Sequence, residues 1–362
     1  MRRIILNGLI SLKSKGKRKK VYSVMKKYEF KSLKENKELE EEKLRNILLY
    51  AYNNVPYYNK ILSKTKITNN NQVDLNKFNK IPILTKEILR NEFYNLKSKN
   101  FKGKFKENTS GGSTGEPAIF LQDSSYSEAG KAAKDFFYEW AGRQSEDKLI
   151  KLWGSERDIL KGNQGFQGVI NRHLLNIHLL NSFKMSEKDM DNYVKKINKF
   201  KPKVIEAYVQ SIYELANFIK KNQLNVYSPK GIITSAGTLY PEIKKTIEEV
   251  FKCKVYNRYG SREVGDIACS CEKDEGLHLN VFTNYVEILN DKLNPCKPGE
   301  IGKVYVTTLN NYVMPLIRYD IGDMAVPSKN EQCSCGRGLP LISNVEGREN
   351  SIIRTNNTNK EI

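Results

Sequence analysis

A chain of 362 residues with 39% hydrophobic content can bury a substantial core, and its length favours two or more subdomains over one small one. Its 61 basic and 41 acidic residues leave a formal charge of +20, yet lysine and asparagine recur everywhere, as in NNNQVDLNKFNK and RTNNTNK. The charge therefore reads as a bias of the whole chain and excludes a specific nucleic-acid surface as its first explanation. No run approaches the roughly 18 apolar residues of a membrane span, and IILNGLISL near the start is broken by Asn7 and Gly8 and lacks a small-residue cleavage site, which points to a cytoplasmic protein.

In chain order, the first feature is a basic cluster of Lys13, Lys15, Lys17, Arg18, Lys19 and Lys20, followed by Lys26 and Lys27. It fits a solvated helix face, or a peripheral contact with an anionic membrane surface or acidic partner, and both stay open. Residues 1–100 carry helical patterns. Leu44, Ile47, Leu48 and Ala51 recur at helical spacing, and Pro56 ends that helix because proline disfavours the helical conformation in the residue before it. From residue 101 to 276, short apolar runs (LIKL, KVIEAY, GIITS, KVYNRYG) alternate with amphipathic stretches (MSEKDMDNYVKKINKF, SIYELANFIKK, YPEIKKTIEEVF), the pattern of an α/β core. Residues 277–348 turn to period-two runs such as LHLNVFTNYVEIL and GKVYVTTL, which predict a β-rich subdomain.

One loop stands apart. TSGGSTGEP, residues 109–117, places Gly111, Gly112 and Gly115 among the hydroxyls of Thr109, Ser110, Ser113 and Thr114, ahead of the strand-like AIFLQ. Glycines expose successive backbone N–H groups that can surround phosphate oxygens, and the hydroxyls add donors. The loop is not a Walker A sequence, since Glu116-Pro117 stands where its lysine would be. By itself it reads as a phosphate cradle or as a surface linker.

Four further segments follow in order: Ser235-Ala236-Gly237-Thr238, Tyr256-Asn257-Arg258-Tyr259-Gly260-Ser261-Arg262-Glu263, Arg318-Tyr319-Asp320-Ile321-Gly322-Asp323 and Gly347-Arg348-Glu349-Asn350. With the glycine loop, this set resembles the adenylate-forming enzymes, most closely the phenylacetate-CoA ligase branch and its relatives in capsular polysaccharide gene clusters. The resemblance implies the large N-terminal α/β domain of acyl-CoA synthetases, with ATP, AMP, Mg²⁺ and coenzyme A as its cofactors and a small carboxylic acid as its substrate. It implies that Ser110, Gly111, Gly112, Ser113, Thr114 and Gly115 hold the β- and γ-phosphates. It also implies that Ala236, Gly237 and Thr238 line the adenine pocket, that Tyr259, beside Gly260 and Ser261, stacks on adenine, and that Glu263 holds Mg²⁺. Asp323 would bind the ribose hydroxyls, and Arg348 would reach the ribose or α-phosphate. Thr114, Glu263 and Arg348 are the catalytic candidates. The chemistry suits these types: carboxylate attack on the α-phosphorus needs the pyrophosphate held in line and its charge neutralised.

Cysteines occur at 253, 269, 271, 296, 333 and 335. Cys271 with His278, and Cys333 with Cys335, form two clips with glycines nearby that could converge on a tetrahedral structural zinc, although Cys269 could stand in for Cys271. Sequences of the resembling branch carry a cysteine and a histidine in this region, which favours Cys271. His173 and His178, in NRHLLNIHLL, read as helix-face residues, Trp153 as core packing at a strand end, and Tyr208 and Gln210 as candidates for a carboxylate pocket.

Two departures matter. Many members of the superfamily have lysine where Ala118 stands, although the resembling branch usually lacks it too. The superfamily also continues past the hinge into a small domain with a catalytic lysine, whereas residues 349–362 are only the hinge and a remnant, so no residue is assigned that role. The leading expectation is an acyl-adenylate-forming ligase, possible as a homodimer; the alternatives are an ATP- or AMP-binding protein with little turnover and a basic membrane- or nucleic-acid-binding module.

Overall fold

The computed structural model describes residues 16–69, 72–110, 117–154 and 176–349. Two compact units divide the chain, one built mainly from residues 134–259 and the other mainly from residues 17–133 and 275–349.

Among the described residues, helices α1 (Lys17–Tyr28), α2 (Leu33–Asn54) and α3 (Pro56–Thr65) come first. A capping box starts α2: the Ser32 hydroxyl accepts the Glu35 N–H, and the Glu35 carboxylate accepts the Ser32 N–H. Its buried stripe runs Asn36, Glu40, Leu44, Ile47, Leu48 and Ala51, so the helical spacing read from the sequence extends two turns further toward the N-terminus through polar residues. The helix ends at Asn54, Val55 turns extended, and Pro56 opens α3, as the proline requires. A short hairpin, β1 (Thr68–Asn69) with β2 (Gln72–Val73), and the small helices α4 (Lys86–Asn91) and α5 (Phe93–Leu96) follow. Strands β3 (Phe105–Thr109) and β4 (Ile119–Asp123) form a second antiparallel hairpin and lead into α6 (Ser124–Trp140).

The first unit is the α/β part. Its elements run β5 (Leu149–Leu152), β6 (Ile177–Leu180), α7 (Glu187–Phe200), β7 (Val204–Tyr208), α8 (Val209–Lys221), β8 (Gly231–Ser235), α9 (Pro241–Phe251) and β9 (Lys254–Ser261). The strands are parallel in the order β9-β8-β7-β5-β6. Their side chains Ile150, Ile205, Ile232 and Val255 pack with Val194 and Ile197 of α7, Ile212 and Leu215 of α8 and Phe251 of α9. Parallel strands covered by helices read as continuous apolar runs, which is why GIITS and KVIEAY stood out. His178 corrects the helix-face reading: it lies on β6, paired with Ile150 of β5, because hydrogen bonding to the neighbouring strand outweighs the local helical spacing. His173 lies outside the described residues.

After β10 (Gly265–Ser270) the second unit carries β11 (Leu277–Leu279), β12 (Asn284–Leu289), β13 (Gly302–Thr308), β14 (Tyr319–Pro327) and β15 (Leu341–Arg348). They are antiparallel in the order β12-β13-β14-β15-β11. Register is what positions the site: Asp323 of β14 faces Arg348 of β15, with an irregularity two residues on that shifts the later pairs.

Candidate active site

The glycine-rich segment links β3 to β4 in the chain. Ser110 closes its neck: its N–H donates to the Ala118 carbonyl and its hydroxyl accepts the Ala118 N–H, both at 2.9 Å. Gly111, Gly112, Ser113, Thr114 and Gly115 lie outside the described residues. Just past the loop, β4 supplies Gln122, whose amide donates to the carbonyl of Arg262 at 2.9 Å and to that of Glu263 at 3.4 Å. From α6 the Tyr126 hydroxyl donates to the same Glu263 carbonyl at 3.1 Å. The sequence reading passed over Gln122 and Tyr126, because neither belongs to a motif and their partners lie well over a hundred positions away.

Gly260 is required where it stands, since a Cβ there would lie 2.4 Å from the Gly265 carbonyl oxygen. The close approach lets β9 turn into β10, and Glu263 sits in that turn, 7% exposed. The Tyr319 hydroxyl donates to Glu263 Oε1 at 3.5 Å, and burial, then the Glu263 charge, push the Tyr319 phenol upward. On β14, Gly322 adopts the left-handed conformation and its N–H donates to Asp320 Oδ1 at 2.8 Å. Asp323 and Arg348 meet as an ion pair, Nε to Oδ1, at 3.1 Å, and Arg348 Nη1 also donates to the Ile321 carbonyl at 2.7 Å. Two motifs separated in the chain thus form one unit. Arg318, which opens the first of them, serves packing: it is buried, pairs with Glu287 at 3.0 Å and donates to the carbonyls of Asn79 and Ile81.

In the first unit, Ser235 ends β8, and Ala236 takes a left-handed φ of 56°. That conformation costs an L-residue about 1–2 kcal/mol and turns Ala236 and Gly237 outward at the carboxyl ends of the strands, where nucleotides bind in α/β sheets. Tyr259 and Ser261 lie on β9, half-buried. Trp153 and Tyr208 stack with ring centroids 4.0 Å apart at the ends of β5 and β7. Gln210 is exposed and its amide donates along α8 to Glu214.

Beneath that pair lies a network absent from the sequence reading. Glu206 is 1% exposed, and its carboxylate takes Lys151 at 2.5 Å, Arg258 at 2.6 Å and the Tyr138 hydroxyl at 2.6 Å. Burial raises the Glu206 pKa, but Lys151 and Arg258 overcome it and hold the group well below the usual carboxylate range. The signal was present as a charge inside each of three apolar runs.

The cysteine and histidine ligands come together. The ligand atoms of Cys271, His278, Cys333 and Cys335 all lie within 4.8 Å of one another, with Cys335 Sγ 3.4 Å from His278 Nε2. Each sulfur accepts a backbone N–H from two residues onward: Lys273 to Cys271, Cys335 to Cys333 and Arg337 to Cys335, at 3.4, 3.5 and 3.4 Å. Three cysteine sulfurs with one imidazole are a donor set that suits a closed zinc site. Cys269, the alternative, is outside this group.

No family model matches the chain. It is 28% identical to Protein CapK of Staphylococcus aureus over 97% of this chain and 77% of that protein. It is 25% identical to the phenylacetate-coenzyme A ligase of Thermus thermophilus over 87% of this chain and 71% of that one. Among solved structures, 2-hydroxyisobutyryl-CoA ligase in its postadenylation state superposes with a TM-score of 0.71 at 17% identity, covering 91% of this chain and 71% of that one. The same ligase in an open conformation with 2-HIB-AMP and CoA gives 0.68 at 18%, covering 87% and 75%. These likenesses agree with the mixed α/β fold described above.

Proposed function

We infer that this chain, which belongs to the phenylacetate-CoA ligase-like branch of the adenylate-forming enzymes, is an AMP-forming ligase that activates a carboxylic acid with ATP and passes it to coenzyme A. The observation that carries this reading is the linkage of motifs in the second unit. The strand after the glycine loop is bonded to Arg262 and Glu263, Glu263 to Tyr319, and Asp323 to Arg348. Distant motifs tied by hydrogen bonds are what a preorganised site needs.

In the first half-reaction, a carboxylate oxygen of the acid bonds the α-phosphorus of ATP, and the bond to the bridging oxygen breaks, releasing pyrophosphate. In the second, the coenzyme A thiol adds to the acyl carbon, AMP leaves and the thiol proton passes to solvent. Backbone N–H groups and hydroxyls of residues 110–115, Thr114 among them, would hold the departing pyrophosphate. Mg²⁺ on Glu263 would neutralise phosphate charge when bound. Ala236, Gly237, Thr238 and Tyr259 would hold adenine. Asp323 would accept hydrogen bonds from the ribose hydroxyls, and Arg348, paired with it at 3.1 Å, holds that carboxylate in place. The similarity to CapK supports a place in capsular or cell-surface polysaccharide synthesis.

The test is carboxylate-dependent exchange of labelled pyrophosphate into ATP across a panel of acids. Asp323→Ala is expected to weaken nucleotide binding by about tenfold or more, the loss of a charge-assisted pair of hydrogen bonds. ATP binding without exchange on any acid would favour a nucleotide-binding protein with little turnover. For the metal, we place one structural Zn²⁺ on Cys271, His278, Cys333 and Cys335, away from the adenylation chemistry. Elemental analysis should find one zinc per chain, and a Cys333→Ser, Cys335→Ser double variant that keeps full zinc overturns the assignment.

A further inference from the structure

The second unit contains a cavity of about 550 Å³ between α2, the segment after β2, β11 and β12. Its wall includes Glu40, from the core-facing stripe of α2. The neighbouring polar residue of that stripe, Asn36, is anchored through its Nδ2, which lies within hydrogen-bond distance of the carbonyls of Tyr28, Lys31, Ser32 and Gly338, while its Oδ1 is buried without a partner among the described residues. Glu40 is different. It is 9% exposed, and no hydrogen bond or ion pair joins it to another described residue.

The other charges at the cavity are placed otherwise. Glu41 pairs with Arg45 at 3.1 Å and Asp74 with Lys77 at 3.2 Å, while Lys37 stands exposed one turn before Glu40. On the facing strand, Tyr285 lines the same space and meets Phe78 edge-on at 5.3 Å. A carboxyl so far withdrawn from water is costly to ionise without a partner. A carboxyl and an aromatic ring on one cavity wall are the pair of features that recognise an ammonium group. The volume lies in the range of small-molecule sites.

We propose that this cavity is a second ligand site, separate from the nucleotide residues, that takes a small organic cation of the primary ammonium class, its charge against Glu40 and its carbon chain against Leu44, Leu279 and Tyr285. Burial holds the empty-site Glu40 carboxyl up to about 8, with Lys37 opposing and Glu41 reinforcing the rise. A cation arriving at neutral pH therefore displaces the Glu40 proton, which passes to solvent.

Isothermal titration of the full chain at pH 7 with propylammonium, putrescine and agmatine tests this, with propanol as the uncharged control. The expected result is one saturable site for at least one amine and none for propanol, with release of close to one proton, read from the dependence of the heat on buffer ionisation enthalpy. Glu40→Gln should lower the affinity about tenfold or more and abolish proton release, and Tyr285→Leu should lower it severalfold. Pyrophosphate exchange by Glu40→Gln should match the parent, which separates this site from the nucleotide reading and also shows that the variant folds. No saturable amine binding up to roughly 10 mM, about 3 kcal/mol by the affinity scale, or equal binding by Glu40→Gln, overturns the proposal.

Discussion

Glu206 in the first unit and Glu40 in the second are both withdrawn from water, at 1% and 9% exposure, and they are held in opposite charge states. Burial raises the pKa of each. Lys151, Arg258 and Tyr138 surround Glu206 and keep it ionised. Only the more distant charge of Lys37 favours ionisation of Glu40, and it holds its proton up to about 8. The difference teaches that partners, and not depth, decide whether a buried acid is a charge or a neutral group. Glu287 stands between them. Burial pushes its pKa up and its single partner Arg318 pulls it back, leaving a net rise.

The largest way to break the comparison is Arg258→Met. It leaves Lys151 as the one cation paired with Glu206 among the described residues, and removal of one partner from a buried pair costs about 3–5 kcal/mol, to be read by urea denaturation at neutral pH. The loss should shrink as pH falls through the carboxylate range, because protonated Glu206 no longer needs the arginine.

Glu40→Gln should act in the opposite direction. The folded pKa of about 8 lies above the ordinary carboxyl value of 4.5, so the folded protein holds a proton that the unfolded chain has lost. Stability supplied by that protonated group is complete below pH 4.5 and is lost as pH rises toward 8. The glutamine variant should therefore gain on the parent by roughly 3 kcal/mol at pH 7, with the two converging near pH 4.5. Equal stability at both pH values would mean that Glu40 ionises freely in the folded protein. The smallest effect is expected from Lys151→Met. Its side chain is 22% exposed and Arg258 still faces Glu206, so about 1–2 kcal/mol should be lost.

Much of this was legible beforehand. The alternation of LIKL, KVIEAY and GIITS with amphipathic stretches anticipated the parallel strands and their helices, because buried parallel strands have no solvent face to mark. The grouping of Cys271, His278, Cys333 and Cys335 was legible because closely spaced cysteine and histidine side chains beside glycines are a pattern that a turn can bring together. His178 misled, since a four-residue strand leaves too short a pattern to separate from a helix face. Gln122 and Tyr126 were invisible, as side-chain to backbone bonds across more than a hundred residues leave no periodic trace.

Local rules in the sequence determined where helices begin and stop, as Ser32 with Glu35 and Pro56 do. Backbone geometry and donor type are properties of a few adjacent residues, so they can be read one segment at a time. Tertiary structure alone decided that Asp323 lies opposite Arg348, that Glu206 is satisfied by three residues from three other elements, and that Glu40 faces a cavity with no partner. Each of those depends on strand register or on packing between elements far apart in the chain, and a one-residue slip would change which groups meet.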